Sequence, residues 1–234
     1  MSGRVGSITT DIVSDGLVLS IDAANRASYV PNATTTFNTI DTSISGSFIN
    51  NITFDSSTIS PSFAFDGTDD YIIIDQYEAT NDIPIISQNP ITTEHWVKFD
   101  EFNSGGDMLL MDRNAFNGPN GIETFILGAS KVVAVRGSGA TRHDGSIVIS
   151  TGTWYHICIV FSGTTAFIYI NGQLDTSGTI GAVQPSNHSM HMGDYPGLGY
   201  NFDGNWANLF IYHKALSASE VLHNYNALKG RFGL

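Results

Sequence analysis

The stretch Trp154–Gly172, WYHICIVFSGTTAFIYING, constrains this chain more than any other, because it reads only as sheet. Two apolar runs, Trp154–Phe161 and Ala166–Ile170, flank the turn-like Ser162-Gly163-Thr164-Thr165. Both are rich in Ile, Val, Phe and Tyr, whose branched or flat side chains fit a pleated surface. In the first run both alternating faces are apolar except at His156, which predicts a strand covered on both sides. Asn171-Gly172 then predicts a type I′ hairpin, since both central residues of that turn need positive φ. The whole stretch is expected to be a central β-meander.

The rest of the chain repeats the pattern in short pieces. Strands are predicted at Leu17–Asp22, Phe48–Phe54, Ser62–Phe65, Tyr71–Ile74 and Ile91–Phe99. Further ones follow at Asp107–Asp112, Glu123–Leu127, Lys131–Arg136, Ile147–Ile149, Ser189–Gly193 and Asn205–His213. Ala23–Ser45, Asn114–Gly121 and Gly137–Gly145 are expected to be loops. In Ile91–Phe99, Thr93, His95, Val97 and Phe99 alternate with Glu94, Trp96 and Lys98. Many short strands separated by Gly, Asn, Asp and Ser predict an all-β sandwich. At 234 residues the chain suits one such domain.

One helix stands out. Ser217-Ala218-Ser219-Glu220 is a capping box, in which the serine hydroxyl and the glutamate satisfy each other's backbone amides. Val221, Leu222, Tyr225 and Leu228 are expected on one face, with Gly230 as the stop. The predicted organisation is an arm over 1–14, a sandwich over 15–229 that includes a helix at 218–229, and a tail over 230–234.

Charge and cysteine content exclude some functions. A net charge of −12 argues against nucleic-acid binding, which needs basic grooves, and against docking on anionic lipid. No apolar run is long enough to insert in a membrane, and no signal peptide is evident. Cys158 is the one cysteine, so no disulfide framework exists, and its apolar strand predicts a buried, inert thiol.

Several segments, taken in order, resemble the laminin-G-like branch of the concanavalin A-like lectin/glucanase superfamily. They are Phe65-Asp66-Gly67-Thr68-Asp69-Asp70-Tyr71, Ile91-Thr92-Thr93-Glu94-His95-Trp96-Val97 and Trp154-Tyr155-His156-Ile157. Ile168-Tyr169-Ile170-Asn171-Gly172, Phe202-Asp203-Gly204 and Ile211-Tyr212-His213-Lys214-Ala215-Leu216-Ser217 complete the set. The resemblance implies a jelly-roll sandwich of two curved antiparallel sheets with rim loops available for ligands. The two ends, Asp15–Asn25 and Asn224–Gly233, resemble laminin-G-like proteins of tailed bacteriophages. That likeness implies a virion structural or decoration protein on head or tail, made in the host cytoplasm. It would dock on other virion proteins, as a homo-oligomer, and contact host-surface glycans. Phe37–Ile40 and Ala207-Asn208 depart from the pattern of those relatives.

The glucanase relatives carry catalytic carboxylates at alternate positions of one strand, Glu-x-Asp-x-Glu, which puts acid and nucleophile on one face. Here none of the five Glu lies two residues from another acid, so no enzyme is expected. His188 and His191, three apart, would face opposite ways in a strand, and His156 is expected to be a core residue. Calcium needs six to eight oxygens, for which Asp69, Asp70 and Asp194 are the candidates, with Asp107 and Asp112 as further options. The alternative is that these aspartates only bond to loop amides and that Asp66-Gly67 and Asp203-Gly204 make turns. Sugar binding needs an aromatic platform and a few fixed polar groups. The candidates on loops are Phe116, Asn117, Asn120, Arg142, His143, Tyr195 and Tyr200. Two functions are therefore expected: the virion component, or a calcium-assisted carbohydrate-binding module not tied to a virion.

Overall fold

A computed structural model describes residues 11–56, 60–74, 89–102, 107–112, 121–184, 189–194 and 199–234. The strands begin with β1 (Leu17–Asp22), β2 (Thr35–Phe37), β3 (Ser45–Ile49), β4 (Thr53–Asp55), β5 (Ser62–Asp66) and β6 (Tyr71–Ile74). β7 (Ile91–Phe99), β8 (Met108–Asp112), β9 (Glu123–Ile126), β10 (Val132–Arg136) and β11 (Arg142–Val148) follow. The last are β12 (Trp154–Ser162), β13 (Thr165–Ile170), β14 (Gln173–Thr179), β15 (Met190–Met192) and β16 (Asp203–Tyr212). A helix, α1 (Ala218–Leu228), runs into a 3-10 turn, Lys229–Phe232.

The strands form two antiparallel sheets, each eight-stranded. The first runs β14-β13-β12-β7-β16-β5-β4, with β1 also on β16. β1 and β5 share one flank of β16, β1 along Asn208–Tyr212 and β5 along Asp203–Trp206. The second runs β11-β10-β9-β8-β15-β6-β3-β2. This is the expected all-β jelly-roll sandwich with a C-terminal helix. The meander β12-β13-β14 forms as predicted, and Asn171 (φ 51°) and Gly172 (φ 76°) make its left-handed turn. It is not central, however: β14 is an edge, and β7 and β16 hold the middle of the sheet.

Three other expectations are corrected. Phe48–Phe54 is not one strand but the ends of β3 and β4, which lie in different sheets, broken at Asn50 with φ 63°. Thr35–Phe37, inside the expected loop, is the edge strand β2. Gly137–Gly145 is not all loop, since β11 starts at Arg142 and places Arg142 and His143 in a strand.

The core lies between the sheets. Ile157, Ile159 and Phe161 of β12, Val97 and Phe99 of β7 and Leu209 and Ile211 of β16 meet Val133, Val135, Ile126, Met190 and Ile72 from the second sheet. The outer face of the first sheet is covered too, as the double-sided apolar pattern of Trp154–Phe161 requires. Cys158, Val160, Phe210 and Tyr212 pack under Val221 of α1. Trp96 stacks on Phe232 at 4.0 Å and 7°. Burying one such side chain stabilises by about 1.5–3 kcal/mol, so residues 230–234 are anchored to the sandwich by Phe232. The Ser217–Glu220 capping box forms, but Gly233 (φ 76°), rather than Gly230, takes the left-handed stop. Leu222 is 37% exposed, and the inward face of the helix carries Val221 and Asn224.

Candidate functional site

Along the second sheet alternate residues enter the core, so the others lie on its outer face. Ile122 and Ile126 face inward, leaving Glu123 and Phe125 outward; Val133 and Val135 leave Ala134 and Arg136; Met190 and Met192 leave His191; Ile72 and Ile74 leave Tyr71 and Ile73. Pairing register aligns some of these into one transverse row. Ile73 pairs His191, His191 pairs Asp112, Asp112 pairs Glu123, Glu123 pairs Arg136, and Arg136 pairs Arg142. Directly opposed residues share a face, so His191, Glu123, Arg136 and Arg142 stand in line on β15, β9, β10 and β11, with β8 paired between the first two. With neighbouring strands ~4.8 Å apart the row spans about 19 Å.

The middle of the row is set by close contacts. Arg136 Nη1 donates to Glu123 Oε2 at 2.8 Å, with the glutamate side chain fully buried and the arginine side chain 10% exposed. The guanidinium lies 4.8 Å over the Phe125 ring. Phe125 and Ala134 are directly paired, and Leu127 and Tyr200 pack against them. At the other end His191 meets Tyr71 edge-on at 5.6 Å. Tyr71, His191 and Tyr200 are each half-buried, so ring edges border a fixed ion pair.

The expected sugar-binding residues distribute unevenly. Tyr200 reaches this face, and Arg142 ends the row, its Nε 2.6 Å from Asp144 Oδ1. His143 turns the other way: it pairs with the inward Val135, and its Nε2 bonds Thr176 Oγ1 of the first sheet at 2.8 Å. Phe116, Asn117, Asn120 and Tyr195 lie outside the described residues. The sequence reading missed Glu123, Arg136, His191 and Tyr71. The available signal was a charge at alternate positions of two apolar strands, Glu123 with Phe125 and Arg136 with Ala134.

The calcium candidates sit at one corner, where the β5–β6 turn crosses between sheets. Carboxylate oxygens of Asp66, Asp69 and Asp70 lie within 4.8 Å of one another. Asp70 is buried, and its two oxygens accept the Asn51 amide (2.8 Å) and the Asp66 amide (3.1 Å). Burial first, then Asp66 and Asp69, push its pKa up. Asp66 accepts the Thr68 amide at 2.8 Å. Nearby Asp203 is also pushed up, by burial and then by Asp100, Glu101 and Asp66. Three carboxylates beside loop carbonyls are donors that suit a hard cation, and Asp69 and the exposed Asp66 are the freest to hold it. Asp70 also serves the alternative role of closing loop amides. Asp194 lies on the adjoining loop, after Gly193, and is not part of the trio.

An antiparallel sandwich of two sheets with a helix on the outer face of one defines an all-β domain of the jelly-roll class. The chain belongs to the concanavalin A-like lectin/glucanases superfamily, whose profile matches residues 66–222. No curated protein sequence matches it. Among solved structures it is similar to a Trypanosoma rangeli sialidase in complex with the inhibitor DANA, with TM-score 0.68 and 16% identity over 94% of this chain. The chain spans only 35% of that sialidase. It is also similar to domain 4 of AbnA, an extracellular arabinanase from Geobacillus stearothermophilus, in complex with arabinotriose. There the TM-score is 0.61 and the identity 19%, over 89% of this chain and 98% of that domain. Identities this low show a shared fold alone.

Proposed function

We propose that the protein is a non-enzymatic glycan-binding module whose site is the outer face of the second sheet. The observation that carries this reading is the row His191, Glu123, Arg136 and Arg142, bordered by the half-buried rings of Tyr71 and Tyr200. Half-buried rings supply stacking surface, and Arg136, held in place by the buried Glu123 and itself 10% exposed, supplies directional polar contacts at little ordering cost. A row about 19 Å long suits an oligosaccharide rather than one sugar ring. The arabinotriose complex of the similar arabinanase domain is consistent with a sugar ligand on this fold. The acidic corner at Asp66, Asp69 and Asp70 adds a calcium site that stiffens the neighbouring loops.

A glycan array read with millimolar calcium and again with chelator tests both parts. Specific oligosaccharide binding is expected, weaker in chelator. Tyr200→Ala should weaken it by roughly tenfold, the worth of one stacked ring. Asp69→Asn should abolish the difference between buffers. Binding unchanged by Tyr200→Ala and by Tyr71→Ala would place the site elsewhere, and equal binding in both buffers would leave the trio as loop-closing groups only.

A second reading, a tailed-phage virion decoration protein, is favoured by one observation. The two end segments that carry the phage likeness pack on each other. Arg231 holds Asp22 bidentately at 2.7 and 2.8 Å, and Lys214 joins Asp15 to Glu220. Mass spectrometry of purified particles of a parent virus should then find the chain at structural copy number; its absence would end this reading.

A further inference from the structure

We infer that a hollow beside β1, remote from the polar row, is a second binding site, for a small carboxylate carried on a flat apolar ring. A cavity of about 230 Å³ lies between the loop after β1 and the edge strand β4, lined by Ala23, Arg26, Tyr29, Pro31, Phe54 and Pro61. That is below the roughly 300–1,000 Å³ of pockets for drug-sized ligands, so it holds one ring. Among the described residues the walls are apolar apart from Arg26, with hydroxyls from Ser56 and Tyr29 alone. A sugar ring would leave most of its own hydroxyls unpaired there, whereas an aryl ring would not.

The hollow is built in advance of any ligand. The Tyr29 ring is held edge-on by Phe63 at 5.0 Å, against Phe54 at 4.9 Å and stacked on Phe48 at 5.5 Å. Its loop is pinned by Asp22, which Arg231 grips with both nitrogens and which accepts the Ala24 amide at 2.9 Å. The Tyr29 amide donates to Asn25 O at 2.8 Å. A site already in shape loses little freedom on binding.

Charge identifies the ligand's head group. Among the described residues, Lys98, Arg136, Arg142, Lys214 and Arg231 are ion-paired, and Lys131 and Lys229 lie over aromatic rings. Arg26 alone among the described lysines and arginines has neither kind of partner, in a chain of net charge −12 with 22 acidic residues. A free guanidinium at the wall of an apolar hollow matches a carboxylate in bidentate geometry, with the ring lying against Tyr29 and Phe54.

The full chain titrated with benzoate and followed by NMR tests the site, with benzyl alcohol as the uncharged twin. Saturable shifts are expected at 23–31 and 54–56. Affinity should fall roughly tenfold or more for benzyl alcohol, and equally for benzoate on Arg26→Gln, because each removes a charge-assisted pair. Arg26 is exposed, so the variant should melt with the parent. No saturable shift, equal binding of the two probes, or benzoate binding untouched by Arg26→Gln would each overturn the assignment.

Discussion

Asn224→Ala is expected to cost about 3–5 kcal/mol and lower the melting temperature by roughly 6–20 °C. Asn224 is 1% exposed at the centre of the inward face of α1. Its Nδ2 donates to Glu94 Oε2 at 2.8 Å and to the Tyr212 hydroxyl at 3.0 Å. Its Oδ1 accepts the backbone amide of Val13 at 2.8 Å. One side chain thus joins the helix to β7, to β16 and to the N-terminal arm. Glu94 and Tyr212 are themselves buried, and burial, then Glu94, pushes the Tyr212 phenol up. Truncation leaves two buried groups, on Glu94 and Tyr212, and the half-buried Val13 amide short of a partner, each buried one costing about 1–3 kcal/mol. Thermal melts of the variant give the answer; a midpoint within a degree or two of the parent would remove Asn224 from this role.

Asn224→Asp sharpens the test, because it sets a second carboxyl against Glu94. Two carboxyls at hydrogen-bond distance cannot both ionise, so the pKa introduced at 224 is raised in the folded state. A raised folded pKa contributes stability below the unfolded value of about 3.9 that is lost as pH rises through the folded value. The aspartate variant should therefore lie nearest the parent in acid and fall away towards neutral pH.

Local chemistry was legible in the sequence, and long-range register was not. Asn171-Gly172 encodes its turn by itself, because two adjacent positive φ values are needed there and only such residues supply them cheaply. The Ser217–Glu220 box likewise closes within one helical turn. Phe48–Phe54 misled because an apolar run does not say which sheet each end joins; Asn50 and Asn51 were the only break signal. Leu222 was placed inward and Asn224 overlooked for a related reason: hydrophobic spacing cannot anticipate that Glu94, 130 residues away, needs a donor. The same limit hid the polar row. Glu123 and Arg136 were each visible at alternate strand positions, but their pairing, and that of His191 with Asp112, arises from strand order. Of the calcium candidates, Asp69 and Asp70 are adjacent in sequence and do meet Asp66, while Asp194 joins the corner only as a neighbouring loop.

Gly204→Ala is expected to cost more than about 4 kcal/mol, enough to keep the chain from accumulating as a soluble fold. Asp203-Gly204 reads in sequence as a turn, yet it opens β16 in the middle of the first sheet. Gly204 has φ 144°, and a Cβ there would lie 2.1 Å from the Lys98 carbonyl oxygen and 3.0 Å from Phe99 Cα. Both belong to the backbone of β7, which is paired on its far side with β12 and cannot retreat without opening that ladder. The neighbouring Asp100 amide is held by Asp203 O at 3.0 Å, so the approach is locked from both strands. Gly163→Ala is the control: φ is 62° but nothing lies within 4 Å of its Cβ. Left-handed strain alone costs about 1–2 kcal/mol, so this variant should fold and melt only slightly lower. Denaturant unfolding of the pair separates close backbone approach from backbone conformation. A Gly204→Ala chain as stable as Gly163→Ala would mean that β16 and β7 part at this point without loss. The acidic corner, tied to Gly204 through the pairing of Asp203 with Asp66, would then be free to move with them.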